Sequence, residues 1–195
     1  LYRNSLNGDE VEAAVLEGGR LVRLVRDAAS RWKKQAYSGE AFQGCQEVIS
    51  CRTPDGTSWV VASRAADSVV FRLDPASGFV DTGVRLAPVE HLRVTYTPGG
   101  QSRLPVVYGA HGGFFQVFLW SQQSAAWTQP RMPVGGALDS GDFQLCVSLN
   151  LTGVLGFNDG GTFNWLRVNL SGRPGAGTDF VPLAVPVAVN NSCLE

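Results

Sequence analysis

Apolar residues along the chain occur in short alternating runs that are separated by turns of small residues. Four stretches share this layout: Val11–Val25, Trp59–Leu73, Pro105–Leu119 and Gly153–Arg167. In each, an apolar run leads into a turn, and apolar residues then recur at every second position. A period of two predicts strands rather than helices. Glycine-rich or similar small turns supply the backbone angles of tight hairpins, so four β-hairpins are predicted.

The four hairpins form a repeat. Their turns lie about 47 residues apart, a period typical of propeller blades; they are Gly18-Gly19, Ala66-Asp67, Gly112-Gly113 and Gly160-Gly161. An aromatic residue follows each hairpin at a similar distance; these are Trp32, Phe79, Trp127 and Phe180. A further apolar run precedes the last three hairpins, at Glu47–Cys51, His91–Thr95 and Gln144–Ser148. Leu183–Val189 follows about one period later, which places a last predicted strand near the C-terminus.

The repeat predicts an all-β fold, a four-bladed β-propeller in one domain, 1–195. The C-terminal strand would close the first blade and leave no open edge. The predicted blades are 11–40 with 183–190, 45–85, 90–131 and 142–182. A β-sandwich or jelly roll is the alternative, because it also has many short strands joined by Gly and Pro turns.

Charge adds little to this picture. The 195 residues include 16 basic and 17 acidic side chains, for a formal net charge of −1. A balanced charge gives no electrostatic reason to expect nucleic acid or an acidic membrane as a partner. No apolar run approaches the roughly 18 residues of a membrane-spanning helix, so we expect no membrane insertion.

Cysteines and sequons point to a secretory setting. The four cysteines, Cys45, Cys51, Cys146 and Cys193, contain no CxxC pair, so we expect two disulfides rather than a zinc site. Three pairings are possible, and the spacing does not choose among them. Sequons at Asn150, Asn169 and Asn190 are compatible with N-glycosylation. We therefore expect a secreted or extracellular glycoprotein.

Candidate catalytic groups are sparse. His91 and His111 are the only histidines, and no GxSxG nucleophile motif occurs. Two histidines without clustered acids do not predict a metal site, and no cofactor motif is present. A propeller glycosidase would need two converging carboxylates, for which the candidates are Asp139, Asp142, Asp159 and Asp179. The expectation is a protein without catalytic activity, with the glycosidase as an alternative.

The recurring aromatics are the best candidate ligand-binding residues. Trp32, Phe79, Trp127 and Phe180 share one place in the repeat, and an aromatic ring can stack on a sugar. His111, beside the third hairpin turn, is the remaining candidate. Within the hairpins, Phe115, Val117 and Leu119 are expected to face the core, as are Trp59, Trp120 and Trp165.

A glycine turn, an aromatic strand and a Trp in the next strand resemble the blades of secreted sugar-binding propellers of the fungal fucose-lectin type. The resemblance implies a non-enzymatic module that recognises a glycan or glycoprotein through pockets between blades, with Trp32 and Trp127 as sugar contacts. The alternative is a protein–protein interaction module, such as a receptor-binding, adhesin or capsid-type surface domain. Oligomerisation remains open in either case.

Overall fold

The structure, a computed structural model, is all-β. It describes residues 2–3, 11–17, 20–27, 29–36, 44–74, 77–99, 102–129, 142–159, 162–171 and 180–182. These residues form sixteen strands: β1 (Tyr2–Arg3), β2 (Val11–Glu17), β3 (Arg20–Arg26), β4 (Trp32–Ala36), β5 (Cys45–Arg52), β6 (Ser58–Arg64), β7 (Ser68–Asp74), β8 (Gly78–Leu86), β9 (Glu90–Tyr96), β10 (Pro105–His111), β11 (Phe114–Ser121), β12 (Ala126–Thr128), β13 (Phe143–Val147), β14 (Thr152–Asp159), β15 (Thr162–Asn169) and β16 (Phe180–Pro182). The all-β class is therefore confirmed.

Consecutive strands pair into four separate sheets. Sheet 1 is β1-β2-β3-β4, sheet 2 is β5-β6-β7-β8, sheet 3 is β9-β10-β11-β12 and sheet 4 is β13-β14-β15-β16. The central pair of each sheet is one of the four predicted hairpins, and its strands run antiparallel. Each described sheet is thus an up-and-down meander in which neighbours in sequence are neighbours in space.

The prediction of a closed four-bladed propeller is wrong. No described sheet closes into a barrel, and the chain divides into two compact units, Leu1–Val94 and Thr95–Glu195. Tyr2–Arg3 occupies the edge of sheet 1 where the C-terminal strand was expected, and pairs with Val11 and Glu12. Leu183–Val189 lies outside the described residues. The repeat period records hairpins that are local in sequence; it contains no information on contacts between the first and last repeats. Open, separate sheets fit the sandwich alternative better.

The core of the second unit lies between sheets 3 and 4. Alternate residues of β10 and β11 face alternate residues of β13 and β14, in one continuous cluster of buried side chains. Tyr108, Phe115 and Phe143 form its aromatic centre, with ring centroids 6.0–6.5 Å apart. The backbone N–H of Leu145 also donates to the Tyr108 hydroxyl at 3.3 Å. Two sheets that share one core in this way are the basic unit of a sandwich.

In the first unit, sheet 2 has a buried apolar cluster of its own. Val60, Ala62, Val69 and Phe71 lie opposite one another on β6 and β7 and are almost fully buried. Beyond sheet 2, the Glu47 carboxylate accepts the backbone N–H groups of His91 and Leu92, at 3.0 and 2.6 Å. A carboxylate that accepts two N–H groups fixes the start of β9 against β5.

Several hairpin connections share one five-residue turn. Its first residue donates its N–H to the carbonyl of the fifth, and the fourth donates back to the first, as in Asp27–Arg31, Thr53–Thr57 and Ser148–Thr152. The fourth residue has a positive φ: 62° at Ser30, 86° at Gly56 and 59° at Leu151. Side-chain oxygens at the start of such turns satisfy further backbone groups, which explains the Asp, Thr and Ser there.

Ala125, in the turn between β11 and β12, tests the cost of this geometry. Its φ is 48° and it is exposed. A left-handed backbone strains every L-residue with a Cβ, so Ala125→Gly should stabilise the protein by about 0.5–1 kcal/mol in urea unfolding. The neighbouring Ala126→Gly, inside β12, is the matched control and should destabilise it. A less stable Ala125→Gly protein would contradict the turn geometry.

An ion-pair ladder holds the β6–β7 hairpin. The Arg64 guanidinium makes two hydrogen bonds of 2.6 Å to the Asp67 carboxylate. Arg85 on β8 lies 3.7 Å from Asp67 and pairs with Asp81 at 2.7 Å. The Arg64 hydrogen bonds, and then the charges of Arg64 and Arg85, hold the pKa of Asp67 below its usual value.

The lowered pKa of Asp67 predicts a pH-dependent contribution to stability. The contribution is present above the unfolded-state pKa of 3.8 and is lost as the pH falls through the lower folded-state value. Asp67→Asn should therefore destabilise the protein by about 1 kcal/mol at pH 7 and by much less at pH 3, as read from urea unfolding. The exposed Glu90→Gln is the control. An equal loss at both pH values would show that the ion pair is not the cause.

Candidate functional site

The aromatic residues predicted to bind a ligand lie on four different sheets. Trp127, on β12, is buried and packs edge-to-face on Trp120, with ring centroids 5.7 Å apart. Phe79, on β8, is half-buried against the cluster of sheet 2. The Phe180 side chain lies outside the described residues, although its backbone pairs with Val168. Trp32, on β4, is 46% exposed and is the one described member open to a ligand.

His111 ends β10 and pairs with Phe114 across the Gly112-Gly113 turn. Both glycines have positive φ, 55° and 78°, as a two-residue hairpin turn requires. The His111 side chain is half-buried, and its Nδ1 is buried without a hydrogen-bond partner. This placement leaves His111 little surface for a ligand.

The candidate catalytic and metal-binding groups do not assemble into a site in the described part of the chain. Asp142 is exposed next to β13, Asp159 ends β14, and Asp139 and Asp179 lie outside the described residues. Among the described residues no group of three His, Cys, Asp or Glu side chains is placed to hold a metal ion. Nor do these residues include a helix long and apolar enough to cross a membrane.

Two of the described cysteines, Cys45 and Cys51, are poor nucleophiles. Cys51 is buried and Cys45 is half-buried, and neither forms a disulfide in the structure. Burial raises the pKa of both thiols, which keeps them protonated and unreactive. Cys193 lies outside the described residues, and the disulfide framework stays a prediction.

The most exposed aromatic side chain in the described part of the chain lies on sheet 4. Phe163 is 56% exposed and Trp165 is half-buried, and their rings meet edge-to-face with centroids 5.0 Å apart. Both lie on β15, two residues apart, and therefore on the same face of the sheet. We call Phe163, Trp165 and the underlying Gly156 the aromatic platform.

Gly156 leaves the space that the Trp165 ring occupies next to β14. It pairs directly with Trp165 across β14 and β15. A Cβ at this glycine would come 2.7 Å from Cζ3 of Trp165 and 3.2 Å from Cε1 of Phe163. Such distances are too short for a stable contact, so any other residue would displace the ring. The glycine is thus a requirement of the platform.

Strand alternation separates the aromatic platform from the core. Leu166 and Val168 on β15 pack into the core shared with sheet 3, so Phe163, Trp165 and Arg167 point the other way. Arg167 is exposed at one end of this outer face. At the other end, the Asn158 N–H donates to the Asp142 backbone carbonyl at 3.0 Å. The outer face thus has an aromatic centre with polar residues around it.

The residue two positions past the hairpin turn differs in burial among the repeats. Val69, Phe115 and Phe163 each lie two residues past their hairpin turns. Val69 and Phe115 are almost fully buried, whereas Phe163 is exposed. In sheet 3 the equivalent face, with Phe115, is covered by sheet 4. Sheet 4 therefore exposes Phe163 at a position whose counterpart in sheet 3 packs under another sheet.

The sequence did not predict the aromatic platform, whereas it predicted several core residues of other sheets correctly. Phe115, Val117 and Leu119 face the core as predicted, and Trp59 and Trp120 are buried as predicted. Trp165 was expected in the core and is half-buried instead. Trp165 belongs to the fourth repeat, whose turn, spacing and alternation match those of the third repeat. No local signal therefore distinguishes a covered from an uncovered face. A search against protein-family models and curated proteins found no match to the chain, so the residues alone guide the functional proposal.

Proposed function

We propose that this chain is a non-enzymatic protein-interaction module that docks a β-rich protein surface on its aromatic platform. The observation that carries the proposal is the contrast between Phe115, buried under a neighbouring sheet, and Phe163, exposed at the equivalent position. An aromatic face of this kind leaves apolar surface in water unless a partner covers it.

The composition of the face supports a protein partner. Aromatic residues and Arg are enriched at protein interfaces, with an apolar centre and a polar rim. Phe163 and Trp165 form such a centre, and Arg167 and Asp142 lie near its opposite ends. The partner that fits is a sheet with an apolar centre and a carboxylate opposite Arg167.

Docking on one sheet face replaces the predicted binding in pockets between blades. Pockets between blades depended on the propeller, and the described aromatics of the repeat lie on different sheets. Docking through one sheet face requires neither a propeller nor aromatic residues that converge from several sheets. A glycan ligand for the same face is a second outcome of the experiment below, because a lone aromatic can also stack on a sugar ring.

Site-specific photocross-linking tests the proposal. A benzophenone side chain replaces Phe163 in one protein and Phe114 in the control. Phe114 is 51% exposed, lies on a strand of the same unit and also follows a glycine-rich turn. The expected result is a protein adduct from position 163 that is absent from position 114. The adduct partner, once purified, should bind the wild type and the Phe114→Ala variant about 10–100 times more tightly than the Phe163→Ala variant.

Three outcomes separate the possibilities. A concentration-dependent dimer that Phe163→Ala abolishes would identify the partner as a second copy of the chain and support docking. Equal adducts from positions 163 and 114, or binding unaffected by Phe163→Ala, would refute it. Binding on a glycan array that requires Trp165, without any protein adduct, would assign the face to carbohydrate instead.

A further inference from the structure

The edge of sheet 1 carries a separate exposed surface, remote in sequence from the aromatic platform. Strand β4 is the last strand in the order β1-β2-β3-β4. The four residues around its start are all exposed, and three of them are cationic: Arg31, Trp32, Lys33 and Lys34. Lys33 and Lys34 are also the only lysines in the sequence. We call these four residues, together with Arg26, the cationic edge.

Strand alternation distributes these charges on both sides of the edge. Trp32 pairs with Arg26 and Lys34 pairs with Leu24 across β3 and β4, which places Trp32, Arg26 and Lys34 on one face. Lys33 lies on the opposite face. A chain lying along the edge would therefore meet cations on both faces, with the Trp32 indole on the face of Arg26 and Lys34.

The turn before β4 holds this arrangement in place. The Asp27 carboxylate accepts the Arg31 backbone N–H at 2.9 Å and lies 3.3 and 3.4 Å from the charged nitrogens of Arg31 and Lys33. Arg26 Nε donates to the Ser30 carbonyl at 3.2 Å. Asp27 thus holds Arg31 and Lys33 by their charged ends, while both side chains stay largely exposed, at 74% and 65%.

The described side chains at the cationic edge carry a positive charge balance, although the chain as a whole does not. Lys34 pairs with Glu17, and Asp27 is shared between Arg31 and Lys33. Among the side chains that the structure describes here, four cations thus face two carboxylates, on a chain whose formal net charge is −1. A positive edge favours a polyanion that contacts it directly. Because the protein is nearly neutral overall, it provides little long-range attraction for such a partner.

We propose that the cationic edge binds a sulfated polysaccharide. Arg and Lys side chains form charge-assisted hydrogen bonds with sulfate oxygens, and the exposed Trp32 ring covers the apolar face of a sugar between them. A nucleic acid fits less well, because nucleic-acid domains are generally basic overall, with pI above about 9, whereas this chain has a pI near 6.2. This surface is independent of the proposed protein docking on sheet 4.

Titration of the whole chain with a heparin octasaccharide tests the assignment. At 50 mM NaCl we expect binding that weakens at higher salt, because sulfate pairing releases counterions. The double variant Lys33→Ala/Lys34→Ala should weaken binding roughly 10-fold and flatten the salt dependence. Trp32→Ala should weaken it roughly 5-fold and leave the salt dependence unchanged, since stacking involves no counterion.

Two further measurements do not depend on losing affinity. Glu17→Gln removes the anion that competes for Lys34, and should strengthen binding about 2–3-fold. Acetylation of Lys33 and Lys34 in the unmodified protein, followed by mass spectrometry, should slow when heparin is present. Arg72→Ala, an exposed cation on sheet 2, is the matched control and should change neither binding nor protection.

Several results would overturn the assignment. These are no binding at 50 mM NaCl, equal binding of a desulfated octasaccharide, and no protection of the two lysines. Tighter binding of a single-stranded oligonucleotide of equal charge would reassign the edge to nucleic acid. Failure here would leave the docking proposal for sheet 4 intact, because the Phe163 variants keep every residue of the cationic edge unchanged.

Discussion

Phe143→Ala is expected to destabilise the second unit by about 3–5 kcal/mol, the range for removing a buried aromatic from a packed core. Phe143 is 4% exposed and contacts the rings of Tyr108 and Phe115 from the opposite sheet. Its loss would leave a cavity at the centre of the only aromatic cluster that joins sheets 3 and 4 among the described residues. Urea unfolding followed by Trp fluorescence and circular dichroism measures the effect.

The control for Phe143→Ala is Phe114→Ala. Phe114 lies on sheet 3 in the same unit, but half of its surface is exposed, so we expect a change within about 0.5 kcal/mol. If the two variants unfolded at the same urea concentration, sheets 3 and 4 would not share the core described above. Tyr108→Phe isolates the smaller effect of the hydroxyl, which accepts the Leu145 N–H.

Gly156→Ala is expected to displace Trp165 and to destabilise the protein by about 1–3 kcal/mol, the usual cost of overpacking. The new methyl group would lie 2.7–2.9 Å from two carbons of the indole ring. The ring must therefore leave the sheet, which should shift its fluorescence towards that of a solvated indole. We expect the same variant to lose binding to any partner that needs the aromatic platform.

A double-mutant cycle separates this collision from a general intolerance of β14. In the Trp165→Ala background the ring is absent, so Gly156→Ala should cost about 1 kcal/mol less than in the wild type. Gly153→Ala is the comparison within the same strand. Its Cβ would lie 2.9 Å from the Cys146 backbone carbonyl, which has no room to move, and its cost should be independent of Trp165. An identical cost of Gly156→Ala in both backgrounds would show that Trp165 does not rest on the glycine.

The two proposed surfaces illustrate different limits of sequence reasoning. Trp32 was a candidate from the repeat alone, and the structure leaves it exposed beside three cations. Trp127 had the same standing and is buried against Trp120. Both occupy the start of the fourth strand of a sheet, so the difference lies in what packs against each strand. The pattern of one repeat does not carry that information.

The sequence by itself determined the hairpins and their registers. Alternation with a period of two sets which residues share a face, and small residues at the turns set where each strand reverses. These are interactions between residues close in the chain, so they are recorded locally. The all-β class, the paired strands of each repeat and the shared face of Phe115, Val117 and Leu119 follow from them.

Only the tertiary structure decided how the sheets associate and which faces remain uncovered. Phe115 and Phe163 have equivalent local sequence positions, yet one is buried by a second sheet and the other faces solvent. Likewise, the edge of sheet 1 is completed by Tyr2–Arg3, although a strand near the C-terminus fits the period equally well. Burial of this kind depends on contacts between residues far apart in the chain. A repeating pattern specifies the surfaces available for such contacts and leaves open which of them meet.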